Sequence, residues 1–184
     1  MLKERYKKIV IPKMREKFRY RNNLVVPRIM KVVINTGVGK ILSNIDSSRK
    51  EVVTEGISYE LALICGQKPI FTKAKKAISG FKTRKGSVVG AKVVLRKNRA
   101  YEFLDRLINI VLPRSRDFRG IPLRAIDKGG NLTIGIKEHM VFPEIQPEKS
   151  KAPFGLEVII VINAKNREEA IEFFKLMGFP LREG

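Results

Sequence analysis

The chain holds one histidine, His139, and one cysteine, Cys65. A nucleophile and its base would have to be brought together by the fold. Cys65 lies on the apolar side of a predicted helix end, where cysteine behaves as a small buried hydrophobe. His139 stands among strand-end residues, and a place at the surface or rim is expected for it. No histidine cluster and no carboxylate pair has the spacing of a metal site. No catalytic residue, metal or cofactor is therefore expected. Two glycine motifs invite a nucleotide reading. The first, "GVGK" from Gly37, lacks the third glycine of a dinucleotide fingerprint. The second, "GFKTRKGS" from Gly80, has five residues between its glycines and no Lys-Ser pair after the second. Both read as turns, although backbone N–H groups without a neighbouring Cβ can still approach a phosphate closely.

Phosphate contact is the chemistry that remains. The stretch "TKAKKAISGFKTRKGS", Thr72 to Ser87, places six basic residues in the thirteen from Lys73 to Lys85, with no acid. The 41 positions between Glu60 and Glu102 carry 11 Lys and Arg and no Asp or Glu. A solvated face explains a short basic run, but this one crosses a strand, a loop and another strand. Mixed signs would serve solubility better. Across the chain, 38 Lys and Arg oppose 18 Asp and Glu, a net charge of +20. Such a surplus repels itself unless a polyanion neutralises it. Nucleic acid is the first candidate partner, a membrane surface the second, an acidic protein the third. No run of 18 apolar residues is present, so no membrane span is expected. The first residues lack a secretory h-region, and Glu4, Glu16 and the lack of serine argue against a transit peptide. The lone Cys65 excludes a disulfide framework, and a reducing cytoplasm fits.

The elements that must position these charges follow from periodicity. Leu2, Tyr6, Ile9, Val10, Met14 and Phe18 recur at helical spacing, with Pro12 expected to kink or split the helix. "RIMKVVINTG" reads as a strand. A helix opens at Asp46 to Ser48, with Ser48 and Glu51 as a capping box. Its stripe is Val53, Ile57, Leu61 and Ile64, and Gly66 stops it. "PIFTK" is a short strand, Thr72 to Ser87 a long loop, and "VVGAKVVLRK" a strand. Asn98 is expected to cap a helix with the stripe Leu104, Leu107, Ile108 and Val111, ended by Pro113. The pattern from Arg114 to Gly130 is irregular. "NLTIGIK" and "LEVIIVINA" alternate as strands, separated by a proline-rich loop. Asn166 and Glu169 box the start of a last helix with Ala170, Phe173, Phe174 and Met177. The chain, residues 1–184, reads as a single α+β domain: a mainly antiparallel sheet, helices packed mainly on one face, the other face basic.

Strand alternation makes that second face specific. Lys31, Val33 and Asn35 face one way, and Met30, Val32 and Ile34 the other. Lys92, Val94 and Arg96 share one side of their strand, opposite Val93 and Leu95. No strand shows the stacking aromatics of an RNA-recognition motif. Readout would rest on backbone, 2′-hydroxyls and shape, which suits structured RNA. Two rivals stand beside this reading. One is an RNA-modifying enzyme or nuclease, for which no acid, base or metal constellation is found. The other is a binder of any polyanion or anionic membrane surface by charge alone.

"LALICGQKPIFTKAKKA", Leu61 to Ala77, resembles the signature of the large-subunit ribosomal protein L5 family of bacterial type. "INTGVG", "AISGFKTRKG", "GAKVVLR", "YEFLDRLINIVLPRSRDFRG" and "VFPEI" follow in the family's order and spacing. The resemblance runs nearly end to end. It implies a non-enzymatic protein of the large ribosomal subunit, in the cytoplasm or in an organelle with bacterial-type ribosomes. It further implies binding to 5S rRNA and its attachment at the central protuberance. The implied contacts are 23S rRNA, peptidyl-site (P-site) tRNA and the small-subunit head protein S13 across an intersubunit bridge, with no membrane and no small-molecule substrate. By position, the implied 5S rRNA surface includes Lys31, Asn35, Gly37, Gln67, Lys92 and Arg96. The implied tRNA and rRNA contact loop carries Lys73, Lys75, Lys76, Ser79, Phe81, Lys82, Arg84 and Lys85, with Ala77, Ile78 and Phe81 anchoring the loop or packing on a sugar edge. Arg114, Arg116 and Arg119 are further candidates for RNA. Alternatively, Asp117 pairs with one of them and orders the loop. Likewise, the basic first helix either lies on RNA or caps the sheet. The chain departs from the family at Val94, where threonine is usual, at "DKGGNL" from Asp127, and in the proline-rich segment after Glu144.

Overall fold

Proline stands inside two helices, and both helices run past it. The computed structural model, which describes residues 1–81, 83–116 and 118–182, shows how. The first helix is α-helical over Leu2–Arg5, π-helical over Tyr6–Val10 and α-helical again over Ile11–Phe18. A later helix repeats the device over Lys97–Arg106, Leu107–Val111 and Leu112–Arg114. In each, the residue before the proline donates its N–H five residues back, Ile11 to Tyr6 O and Leu112 to Leu107 O. A proline ring clashes with the carbonyl four residues earlier, and the wider π turn absorbs that clash. Pro12 therefore neither ends nor splits its helix.

Seven strands span Ile29–Gly37 (β1), Ile70–Lys73 (β2), Val88–Leu95 (β3), Ile121–Pro122 (β4), Leu132–Ile136 (β5), Leu156–Ile162 (β6) and Leu181–Arg182 (β7) among the described residues. Five of them form one sheet in the order β2-β3-β1-β6-β5. The sheet is mainly antiparallel and the class is α+β. A second, parallel pair joins β4 to β7, which lie in or beyond segments without a readable pattern. The long helix spans Ser47–Cys65 and the last helix Arg167–Met177. A short helix, Gly39–Ser43, begins at the second glycine of "GVGK", so that motif opens a helix and is not only a turn.

The chain gathers into two compact units, and β1, β3, β5 and β6 each give residues to both. One unit comprises Met1–Val32, Leu95–Ile134 and Ile159–Gly184. Its core holds Val10, Met14, Phe103, Leu104 and Leu107. Phe174 meets Phe173 and Phe179 edge-on, with ring centroids 5.4 and 5.1 Å away. The other unit comprises Val33–Val94 and Gly135–Val158. There Ile57, Leu61 and Ile64 of the long helix are buried with Ile34, Val93, Val158 and Phe142.

The helix ends are partly as expected. Asn166 Oδ1 accepts the Glu169 N–H at 2.8 Å, and Glu169 Oε2 accepts the Lys165 N–H at 3.0 Å. Gly66 takes a left-handed φ of 65° and closes the long helix. The Ser48–Glu51 box does not form, because the helix begins at Ser47 and its cap is Asp46, two residues before Ser48. Asn98 does not cap its helix either. The cap is Arg96, and Asn98 Oδ1 accepts Lys3 Nζ at 2.7 Å. The turn from β3 into that helix forces Lys97 to φ 55°, a region unfavourable to any residue with a Cβ. Lys97→Gly is expected to stabilise the protein by about 0.5–1 kcal/mol, read as a higher denaturation midpoint.

Candidate nucleic-acid interface

β3 alternates cleanly. Ala91, Val93 and Leu95 are buried, while Lys92 is exposed, Val94 half-buried, and Arg96, just past the strand, exposed. The alternation puts Lys92 and Arg96 on the outward side of their own strand. β1 behaves likewise: Val32 and Ile34 are buried, and Lys31, Val33 and Asn35 are half-buried. Met30 departs from the expected pattern. It is 44% exposed, and Ile29 is the buried residue at the strand's start.

In the unit holding Asn35, Gly37, Gln67 and Lys92, the outward surface is more mixed than the charges suggested. Ile70 on β2 pairs with Lys92 in register and is 65% exposed. Asn35 Nδ2 approaches Glu157 Oε2 at 3.5 Å, so an exposed acid stands beside the expected RNA residue. Gln67 Nε2 reaches the Val94 carbonyl at 3.5 Å. At these lengths both amides are weakly held. Gly37 is exposed, and a Cβ there would meet nothing within 4 Å. A hollow of about 520 Å³ beside it is lined by Asn35, Gly37, Gly135, Lys137, Gly155 and Glu157, among others. Gly37 and Gly135 leave backbone open to close approach, while at Gly155 the Ile136 and Lys137 carbonyls already stand 3.2 Å from where a Cβ would be. Gly135, Lys137 and Gly155 escaped the sequence reading because β1 and β6 become neighbours only in the sheet.

The basic stretch is a hairpin rather than a plain loop. β2 and β3 pair antiparallel with a bulge between Thr72 and Lys73. Beyond the strands, Ala74 N–H donates to Ser87 O at 2.9 Å, and Gly86 N–H to Ala74 O at 2.9 Å. Ile78 and Thr83 exchange backbone hydrogen bonds of 3.0 and 3.1 Å near the tip. Lys73, Lys75, Lys76, Ser79, Arg84 and Lys85 are all exposed. Ala77 and Ile78 are exposed too, Ile78 by 51%, so neither anchors the hairpin in the core. The backbone rungs do that instead. Lys82 and the side chain of Phe81 lie outside the described residues.

In the other unit, Arg114, Arg116 and Arg119 are all exposed. Asp117 lies outside the described residues. The "DKGGNL" segment closes on itself. Asp127 accepts the Asn131 N–H at 2.8 Å and its Nδ2 at 2.9 Å, and these bonds hold the Asp127 carboxyl below its ordinary range.

His139 is not at the surface. Its side chain is fully buried, and its ring stacks on Phe154 with centroids 3.9 Å apart. The Phe154 N–H points at Nδ1, 3.3 Å away. Nδ1 also lies 3.3 Å from the Phe154 carbonyl, and Nε2 lies 3.2 Å from Glu60 Oε2 and 3.2 Å from Ser150 Oγ. Both ring nitrogens are engaged. Glu60 and Ser150 share the same nitrogen, so the group is a structural clamp and not a relay to a nucleophile. Cys65 is buried, as expected. Among the described residues, no helix is long and apolar enough to cross a membrane.

The model of the ribosomal protein L5 family matches residues 22–84, and the model of the same ribosomal family's C-terminus matches residues 88–181. The chain is similar to the large ribosomal subunit protein uL5 of Syntrophomonas wolfei, 49% identical over 181 residues and 98% of each chain. It is 46% identical to that of Halothermothrix orenii over 183 residues, 100% of this chain and 99% of the relative. It is also 46% identical to that of Clostridium acetobutylicum over 182 residues, 99% and 98% of the two chains.

Proposed function

The chain belongs to the ribosomal protein L5 family and is a structural constituent of the large ribosomal subunit, not an enzyme; from that premise we propose that it binds 5S rRNA and helps to attach it at the central protuberance. In this reading Lys31, Asn35, Gly37, Gln67, Lys92 and Arg96 contact the 5S rRNA. The basic hairpin at about 72–87 protrudes from a single domain toward P-site tRNA. Arg114, Arg116 and Arg119 add RNA contacts. The remaining partners are 23S rRNA and, across an intersubunit bridge, the small-subunit head protein S13.

The observation that carries the proposal is the continuity of β3 with the hairpin. The strand that exposes Lys92 on its outward side leads directly from the arm that exposes Arg84 and Lys85. Neutralised phosphates release counterions, so affinity falls with salt. No exposed aromatic among the described residues of β1, β2 or β3 offers a base platform; Phe71, on the edge strand, is half-buried. Recognition then rests on RNA shape and backbone.

The two arms of the proposal separate by mutation. Changing Lys75, Lys76, Arg84 and Lys85 together to Gln should leave 5S rRNA affinity within about threefold, because these side chains lie beyond the sheet. It should abolish cross-linking of the hairpin to P-site tRNA in reconstituted ribosomes. Loss of 5S rRNA binding with cross-linking retained would reverse the assignment.

A further inference from the structure

We infer that the first helix is a second, separate RNA-binding surface, one that grips the backbone of a duplex while the sheet residues hold 5S rRNA. The inference rests on the proposed 5S rRNA reading for the other half of that statement.

Charge is the first observation. Residues Met1–Val32 hold 11 Lys and Arg against two acids, Glu4 and Glu16. Lys7, Lys8, Lys13, Arg19 and Arg21 are exposed. Among the described residues, none of these five meets a carboxylate at salt-bridge distance; the helix's one such pair is Lys17 with Glu172, at 2.6 Å. Stability alone does not favour this arrangement. Lys13 and Lys17 repeat at a four-residue spacing where like charges destabilise a helix, and Arg19 stands just past its end. Lys3 and Arg5 stand at the helix start, against the dipole. A polyanion removes both penalties.

Burial then selects the kind of polyanion. The apolar stripe is already used: Leu2, Val10 and Met14 are at most 5% exposed. Beyond Met1 at its start, the large apolar side chain left exposed on the helix is Ile9, at 39%, too little surface to enter a membrane. The aromatics are used as well. Tyr6 packs against Tyr101 and Phe173, and Phe18 stacks on Tyr20 at 5.8 Å. A surface without stacking aromatics does not hold single-stranded bases well. What the helix offers is a rod of about 25 Å with cations along its outer side. That form suits the phosphates of an A-form duplex, read by shape and not by sequence.

The test uses the full chain and a variant with Lys7, Lys8, Lys13 and Arg19 changed to Gln. The probes are 5S rRNA and an unrelated RNA duplex of about 20 base pairs, long enough to span the helix. Protein saturated with 5S rRNA should still take up the duplex. The variant should lose that second binding by at least about tenfold, with a salt slope smaller by about one for each phosphate no longer neutralised. Its 5S rRNA affinity should change less than about threefold, and its melting temperature should hold or rise as repulsion is relieved. Failure of the saturated wild type to bind the duplex would overturn the inference. So would equal loss of both RNAs in the variant, which would place the helix in the 5S rRNA surface. Displacement of the duplex by anionic vesicles, and not by further RNA, would assign the face to a membrane surface. If 5S rRNA fails to bind while the duplex binds through the helix, the 5S reading falls and the helix assignment stands.

Discussion

Reversing Lys92 and Arg96 to Glu should weaken 5S rRNA binding by roughly 1–3 kcal/mol for each of the two side chains. The expectation comes from β3 itself. Lys92 is exposed between buried Ala91 and Val93, and Arg96 follows buried Leu95. Neither side chain has a core role, so the double variant should fold with an unchanged melting temperature. The deficit should shrink as salt rises, because part of it is counterion release. Filter binding of the folded variant at two salt concentrations checks this. An affinity equal to that of the wild type would remove β3 from the interface.

The second large effect is on stability. His139→Ala should cost about 3–5 kcal/mol. The substitution opens a cavity beside Phe154, whose ring centroid lies 3.9 Å from that of the imidazole. It also strands the Glu60 carboxylate, 6% exposed, and the Phe154 N–H. A pH dependence follows from the same site. Burial pushes the imidazole below its ordinary 6.5, more than Glu60, the Phe154 backbone and Glu138 pull it up. The unfolded chain therefore binds the proton more readily than the folded one. This contribution to stability is full above about 6.5 and is lost as pH falls through that value toward the lowered folded one. The slope is at most about 1.4 kcal/mol per pH unit. Urea midpoints at several pH values should show it in the wild type and not in the alanine variant. An unchanged slope would assign the acid sensitivity elsewhere.

Much of this architecture was legible because burial writes a period of two or of 3.6 into the chain. Leu132, Ile134 and Ile136, and Leu156, Val158, Ile160 and Ile162, are all buried as their alternation required. The Asn166–Glu169 box is local, so spacing alone revealed it. What escaped depends on partners distant in sequence. His139 reads as a strand-end residue until the proline-rich segment returns Ser150 and Phe154 to it. Asn98 reads as a cap until Lys3, 95 residues away, arrives to claim its oxygen. Pro12 reads as a break because the 3.6-residue pattern has no sign for a π turn. The site was legible in part. The exposed lysines of the hairpin and Lys92 followed from charge and alternation. Glu157 beside Asn35, Ile70 opposite Lys92 and the glycine-lined hollow required the strand order.

The central claim is specific recognition of 5S rRNA. Its most direct measurement is the affinity of the purified protein for 5S rRNA across a salt series, with tRNA and a scrambled RNA of equal length as competitors. The account predicts binding that survives both competitors at moderate salt and weakens steeply only as salt rises further. Equal affinity for all three RNAs, lost together over one salt range, would contradict it.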